Sequence, residues 1–370
     1  MSKYVKSSKN TIFQIEDTEN YDQLIDEEIV KIKEVLQRHP MRIPQYYYQL
    51  IDWDNEDDPI KKMAIPQIAE LNVEGDYDTS GEASNTKLPG LQHKYQRTVL
   101  VLSTNTCFMY CRHCFRKRMV GYSKDEIMKR MNKTIDYVKN HKEVNNVLIT
   151  GGDAFTLTNK TIEKYLYHLT DIDHLDFIRF GTRSLVVKPD RIYKDQKLLD
   201  ILNQYHIKKE IIIVTQFNHP NEITKDTLKA TLALKKAGCT IRNQAVLLKG
   251  INDDPDTLAK LFNKLTSIGI HPYYVFQCRP VKGASHFRLP IKQGIDIINQ
   301  ARLQLNGLSK AFRYIMSHPR GKIEIIDKTD KQFIFKFHQH KYDDDSNLLF
   351  MKDIDDHSSW LDLDLNPIKS

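Results

Sequence analysis

No stretch of the 370-residue chain is apolar over anything near the 18 residues that a membrane-spanning helix requires. The opening residues Met1 to Lys9 are polar and lack the apolar centre of a secretory signal, so a soluble, cytoplasmic protein with no membrane association is expected. Charge of one sign is not in strong excess. Lys plus Arg total 55 against 48 Asp plus Glu, a net +7, with a pI near 8.9. That balance permits contact with anions but lacks the profile of a basic nucleic-acid-binding arm. Cysteine is scarce and odd in number, five in all, which argues against a disulfide framework. Internal repeats and long low-complexity tracts are absent as well. What is present is globular composition, 40% hydrophobic and 28% charged, in a chain long enough for one large domain or two average ones.

Residues 1–95 read as an N-terminal arm: a helix over Tyr21–Gln37, Pro40 and Pro44, the aromatic patch Tyr46–Tyr48, and the turn-rich stretch Gly75–Gly90, which shows neither helix nor strand periodicity. From Thr98 short β-branched runs alternate with amphipathic stretches. The strands are expected at Thr98–Ser103, Asn146–Thr150, Phe177–Gly181, Ile211–Gln216, Thr240–Leu247, Tyr273–Gln277 and Phe312–Met316. The intervening helices are expected at Lys124–Asn140, Thr161–Leu169, Arg191–Tyr205, Lys225–Ala237, Asp256–Ile268 and Ile291–Leu305. Six strand-then-helix units specify a parallel sheet, as an open doubly wound sheet or as a complete or partial barrel. The unit spans residues 96–322. Residues 323–370 contain two strands, Ile323–Ile326 and Gln332–Phe337, turning at Lys328–Asp330, and then an acidic tail. Between Tyr342 and Ser370 there are eight Asp and two Lys, 2 − 8 = −6. That composition reads as a partly solvated tail, with a dimer contact or an active-site cover as alternatives.

Cys107, Cys111 and Cys114 fall within eight residues, just past the first strand, where one loop can fold them around an inorganic centre. Zinc would want a fourth ligand recruited from Cys239, Cys278 or a histidine such as His113. An iron–sulfur cluster on three thiolates instead leaves one iron without a protein ligand, open to substrate or cofactor. The interleaved Arg112, His113, Arg116, Lys117 and Arg118 argue against a buried-core role for the cysteines. A metal-stabilised nucleic-acid-binding module on this basic stretch lacks aromatic stacking partners.

This cysteine spacing resembles the hallmark of the radical S-adenosylmethionine superfamily. More narrowly, Cys107–Arg118 with Val120-Gly121 is similar to the lysine 2,3-aminomutase family. The resemblance runs from about Arg42 to Lys322 through Leu91–Tyr95, Thr150–Ala154, Phe217–Thr224, Asn243–Leu248, Gly250–Asp253 and His286–Arg288. It implies a partial (β/α)6 barrel, a 4Fe–4S cluster on the three cysteines, S-adenosylmethionine and pyridoxal phosphate. It further implies that Gly151, Gly152 and Asp153 hold the methionine amino group, and that Arg183 contacts the cofactor's carboxylate or ribose. Lys322 would carry pyridoxal phosphate as a Schiff base, with Arg112, Lys94 and Gln244 near its phosphate or ring and His113 in the cofactor-binding set. A barrel supports this by position, because reactive groups gather where parallel strands end.

The chain departs from the family in two places. A single glycine, Gly321, precedes Lys322 where the family has a run of them. Arg116 matches the arginine that pairs with the substrate α-carboxylate, but the two aspartates that clasp a lysine side chain fall on Arg279 and near Ile315. The resemblance therefore implies an amino acid 2,3-aminomutase for which free lysine is a poor substrate. Arg279 would face an anionic or neutral side chain, unless it is consumed in a salt bridge. Loss of pyridoxal chemistry, or action on a protein lysine, are the alternatives. A one-electron donor such as flavodoxin or ferredoxin and a homo-oligomer are expected partners; nucleic acid is not.

Overall fold

The computed structural model describes residues 11–19, 21–121, 127–128 and 130–369. Its centre is one twelve-stranded sheet. Seven strands run parallel in chain order: Thr98–Thr104, Asn146–Gly151, Phe177–Gly181, Glu210–Thr215, Thr240–Leu247, His271–Gln277 and Arg313–His318. Both ends of the sheet continue antiparallel. Leu91–Tyr95 and then Thr86–Leu88 extend it beyond the first barrel strand, and Gly321–Lys328, Gln332–His340 and Leu349–Asp353 extend it beyond the seventh. The edge strands do not pair with each other, so the barrel is partial.

Strand Thr240–Leu247 shows why the sequence folds this way. Its residues alternate, with Ile241, Ala245 and Leu247 buried under the helices while Gln244 and Val246 line the interior. The helices covering the sheet start on side-chain caps. Thr158 accepts from the Thr161 amide, Asp195 from Leu198, Thr224 from Thr227, and Asp254 from Thr257 ahead of Pro255. The Asp195 cap also divides the expected helix Arg191–Tyr205 into Asp190–Tyr193 and Gln196–His206. The first covering helix is Met131–Asn140; part of its expected start, residues 124–126 and 129, lies outside the described residues.

Two expectations need correction. The stretch 75–90 is not uniformly extended: Asp78 accepts from the Glu82 and Ala83 amides, nucleating a turn of helix at Glu82–Asn85 that runs into strand Thr86–Leu88. The acidic C-terminal stretch is more than a partly solvated tail, although most of its aspartates are exposed. Leu349–Asp353 completes the sheet edge, Asp345 is buried against Arg320, and Trp360 and Leu361 are buried in a hairpin of Ser358–Leu361 with Pro367–Lys369. Its interleaved apolar residues outweigh its charge. The boundaries near 95 and 322 fall inside the sheet, and one hydrophobic core runs from Ile15 to Leu365.

Candidate active site

A cavity of about 350 Å³ opens at the end of the barrel where the parallel strands terminate. All three clustered cysteines line it, with Lys94, His113, Arg116, Gly151, Gly152, Asp153, Arg183, Gln244, Arg279 and Lys322. Arg112 is the expected site residue that does not. Its guanidinium is turned away from the cavity and buried against Glu70 at 2.6 and 2.8 Å, with further bonds to the His39 and Pro40 carbonyls. Its role is to anchor the cysteine loop to the N-terminal arm, and no hydrogen of its fork is left for a phosphate.

The cysteine loop is fixed by backbone bonds on both sides. Tyr110 N donates to the Arg42 carbonyl and Arg112 N to that of Met63, both at 3.0 Å, while Gly152 N reaches Thr104 O at 2.6 Å and Asp153 N reaches Thr106 O at 2.8 Å. The Gly-Gly pair makes the second contact possible: a Cβ on Gly151 would lie 2.3 Å from Thr104 O, and one on Gly152 2.2 Å from Thr106 O. These glycines therefore admit the backbone of the cysteine loop, a different task from admitting a ligand. Burial pushes the Cys107 thiol well up and that of Cys114 up to about 11. Among the described residues, the set of three or more His, Cys, Asp or Glu ligand atoms within 4.8 Å of one another is His93, His141 and Glu143. The three thiols are free on one loop, the donor set of an iron–sulfur cluster that leaves one iron without a protein ligand. Cys239 sits in the hydrophobic core, and Cys278 is a buried part of the cavity wall.

Asp153 also differs from expectation. Its carboxylate already accepts from Thr182 Oγ1 at 2.5 Å, the Arg183 and Phe155 amides, and Ser184 Oγ. With its lone pairs occupied it organises the loop, while the neighbouring Gly151 carbonyl accepts from Arg116 Nη1. Arg183 lines the cavity but donates to Glu222, the Gln216 carbonyl and, at 2.9 Å, Cys111 Sγ. Its charge is matched by buried Glu222, which Tyr47 also meets at 2.7 Å. His113 is buried beside Asn218, its Nε2 3.2 Å from Asn218 Nδ2, and burial holds its pKa well below the usual imidazole range.

On the opposite wall Arg116 donates from Nε and Nη2 to Glu82 Oε1 at 3.0 and 2.7 Å, and from Nη1 to Gly151 O at 3.3 Å. Arg118 shares the same carboxylate at 2.5 Å. Burial raises the Glu82 carboxyl, but the two arginines outweigh it and bring it down to about 2. Arg279 stands over the Phe115 ring at 4.0 Å and donates to Ser80 Oγ at 2.8 Å; it has no ion pair among the described residues. Burial lowers its pKa to about 10, so it remains charged at neutral pH.

Lys322, on the strand that follows the seventh barrel strand, donates to Gln339 Oε1 at 2.9 Å between the rings of Tyr95 and Tyr274, each 5.2 Å away. Burial, then Arg179, Lys94 and Arg279, lower its pKa to about 7, which makes much of it the nucleophilic free amine at neutral pH. Lys94, bonded to the His318 carbonyl at 2.6 Å, is brought to about 7 chiefly by burial. Gly321 accommodates Gln339 O, 2.2 Å from where a Cβ would be, and Arg320 turns to Asp345. A single glycine precedes Lys322, and Arg179, Lys94 and Arg279 are the cations whose charge it feels.

Sequence reasoning missed the carboxylates Glu70, Glu82 and Glu222, the cation Arg179 and the Lys322 partner Gln339. Glu222 lies in the family-like stretch Phe217–Thr224, which was its available signal. Glu70 and Glu82 meet partners 34 to 47 residues away, and no local pattern announces such pairs.

Residues 101–262 match the Radical SAM superfamily. A chain of Aquifex aeolicus provisionally assigned as an L-lysine 2,3-aminomutase is 42% identical over 320 residues, 86% of each chain. The L-lysine 2,3-aminomutase of Clostridium subterminale is 40% identical over 302 residues, 81% of this chain and 71% of that one. The glutamate 2,3-aminomutase of Clostridioides difficile is 39% identical over 292 residues, 78% and 68% of the two chains. Such identity over most of the chain, on a partial barrel with three cysteines at its mouth, shows that the protein belongs to the lysine 2,3-aminomutase family, radical S-adenosylmethionine isomerases whose membership implies a 4Fe–4S cluster, S-adenosylmethionine and pyridoxal phosphate.

Proposed function

We propose that the protein is a pyridoxal phosphate-dependent amino acid 2,3-aminomutase that favours a substrate with an acidic or neutral side chain over free lysine. The observation that carries this reading is the charge of the cavity wall. Six cations line it: Arg116 is paired with Glu82 and Arg183 with Glu222, while Lys94, Arg179, Arg279 and Lys322 have no ion-pair partner among the described residues. An enclosed surplus of that size calls for anionic occupants, which a cofactor phosphate and the carboxylates of S-adenosylmethionine and an amino acid substrate would supply.

The residues present fit the three groups. Cys107, Cys111 and Cys114 would hold the cluster, the carbonyls of the Gly151-Gly152 loop would receive an ammonium, and Lys322 would hold pyridoxal phosphate with Lys94 and Ser317 at hand for its phosphate. When bound, the cluster with S-adenosylmethionine would supply radical chemistry and pyridoxal phosphate a carrier for the migrating amino group. The chain's own contribution is positional. Lys322, uncharged in much of the population near pH 7, is aimed by Gln339 and confined by the two tyrosine rings. Arg116, held by Glu82, lines the cavity where a substrate α-carboxylate would meet it.

Arg279 sets the side-chain preference. A lysine ammonium about 4 Å from it would meet roughly 4 kcal/mol of repulsion at an effective dielectric of 20. A glutamate carboxylate would instead supply the anion that Arg279, bonded to Ser80 Oγ, lacks among the described residues. The test is anaerobic reconstitution with iron, sulfide and pyridoxal phosphate, followed by a substrate screen with a chemical one-electron donor. A pyridoxal absorption band in the wild type and its loss in Lys322→Ala, with β-glutamate or another non-basic β-amino acid as product, is the expected result. Turnover of lysine at least as fast as glutamate overturns the substrate assignment. A missing pyridoxal band in the wild type overturns the cofactor assignment.

A further inference from the structure

We propose that His93, His141 and Glu143 form a second metal site, distinct from the cysteine loop, that takes a divalent cation of the zinc type. The three residues come from separate places in the chain. His93 lies on strand Leu91–Tyr95, which carries Lys94 into the cavity, while His141 and Glu143 lie on the turn between helix Met131–Asn140 and the second barrel strand. One ligand atom of each comes within 4.8 Å of the other two.

The hydrogen bonds fix which nitrogens are free to coordinate. A backbone carbonyl can only accept, so the contact of His93 Nε2 with Gln96 O at 3.1 Å makes Nε2 the protonated nitrogen and leaves the lone pair on Nδ1. The same reasoning applied to His141, whose Nδ1 lies 2.7 Å from Tyr137 O, leaves its lone pair on Nε2. Each imidazole is thus oriented by an N–H to carbonyl bond on one nitrogen and presents the other, the arrangement that supports metal-bound histidines. The His141 ring is further held by stacking on Tyr137 with centroids 3.8 Å apart. The Glu143 carboxylate has no cationic partner among the described residues. One group competes for the site, the Tyr137 hydroxyl, 2.9 Å from His93 Nδ1.

Two imidazole nitrogens and one carboxylate form the donor set of a zinc-type ion, with water completing four-coordination. The set is poor for calcium or magnesium, which require oxygen donors. The site lies at the end of the first two barrel strands opposite the cavity mouth, where Thr98 pairs with Asn146. A bound ion there clamps strand Leu91–Tyr95 to the loop before the second strand. This inference does not depend on which amino acid the enzyme rearranges.

The test is equilibrium dialysis of the cluster-loaded protein against zinc chloride, with zinc and iron counted by mass spectrometry. One zinc per chain with unchanged iron is expected. His141→Ala and Glu143→Gln are each expected to weaken binding by about tenfold or more. Tyr137→Phe removes the competing hydroxyl and retains the carbonyl that orients His141, so it should bind at least as tightly as the wild type. A zinc-induced rise in melting temperature should appear in the wild type and vanish in Glu143→Gln. Unchanged zinc affinity in both ligand variants, zinc bound only as iron is lost, or no zinc bound by the wild type would each overturn the site.

Discussion

The two sides of the cysteine loop carry the same kind of charge network and use it differently. Behind the loop, Arg112 and Lys117 converge on Glu70 and also donate to the carbonyls of His39, Pro40 and Gly283. In front, Arg116 and Arg118 converge on Glu82, but Arg279 and Lys94 stand nearby with no carboxylate of their own among the described residues. Each network sets two cations against one carboxylate. The rear one is enclosed by protein and holds the loop; the front one faces the cavity and leaves positive charge available to a ligand. Basic residues that alternate along one short segment therefore divide into structural and binding roles according to what surrounds them.

The sharpest break of this comparison is Glu70→Ala, which would leave Arg112 and Lys117 buried without a counter-ion and destabilise the fold by about 3–5 kcal/mol. Chemical denaturation measures it. The same network makes the protein acid-sensitive. Burial raises the Glu70 carboxyl, but Arg112 and Lys117 outweigh it and bring it from 4.5 down to about 2. Its contribution is complete above pH 4.5 and is lost as pH falls toward 2, so melting temperature should decline over that window, and less so in Glu70→Gln.

Next in size is Arg279→Ala, expected to lower kcat/KM for an acidic substrate by about 10–100-fold, the loss of one charge-assisted contact, with little change for a neutral one. An equal loss on both would remove Arg279 from substrate selection. Glu82→Gln should then cost roughly 1–2 kcal/mol of stability, less than Glu70→Ala, because the cavity lets water reach the stranded guanidinium groups. A cost equal to that of Glu70→Ala would erase the contrast between the two sides. The smallest effect is kinetic. The rate at which pyridoxal phosphate is captured by Lys322 should climb as pH passes through about 7 and level off above it, where the amine is already neutral. A rise continuing toward pH 10 would mean an ordinary, solvated lysine.

Much of this was legible before any coordinates. The seven parallel strands fall within a few residues of the β-branched runs, because alternation of a two-faced strand with a one-faced helix leaves a periodic trace. The hairpin turning near residue 329 was legible for the same reason. The C-terminal stretch was misread because net charge dominated a segment whose sparse apolar residues, Trp360 and Leu361 among them, decide where it packs. Arg112 was placed near a phosphate because type and proximity to the cysteines were all the sequence offered.

The sequence by itself determined the parallel strand–helix units and the cysteine loop, since each depends on local periodicity or on a motif within one loop, while the barrel and the role of Lys322 came from the family resemblance. Only the tertiary structure decided which cations are neutralised and which are not. That outcome depends on carboxylates such as Glu70 and Glu82, which reach their partners once the arm folds against the barrel, and Glu222, which reaches Arg183 from the end of another barrel strand. Coulomb interaction depends on distance in space and on burial, and neither can be read from separation along a chain.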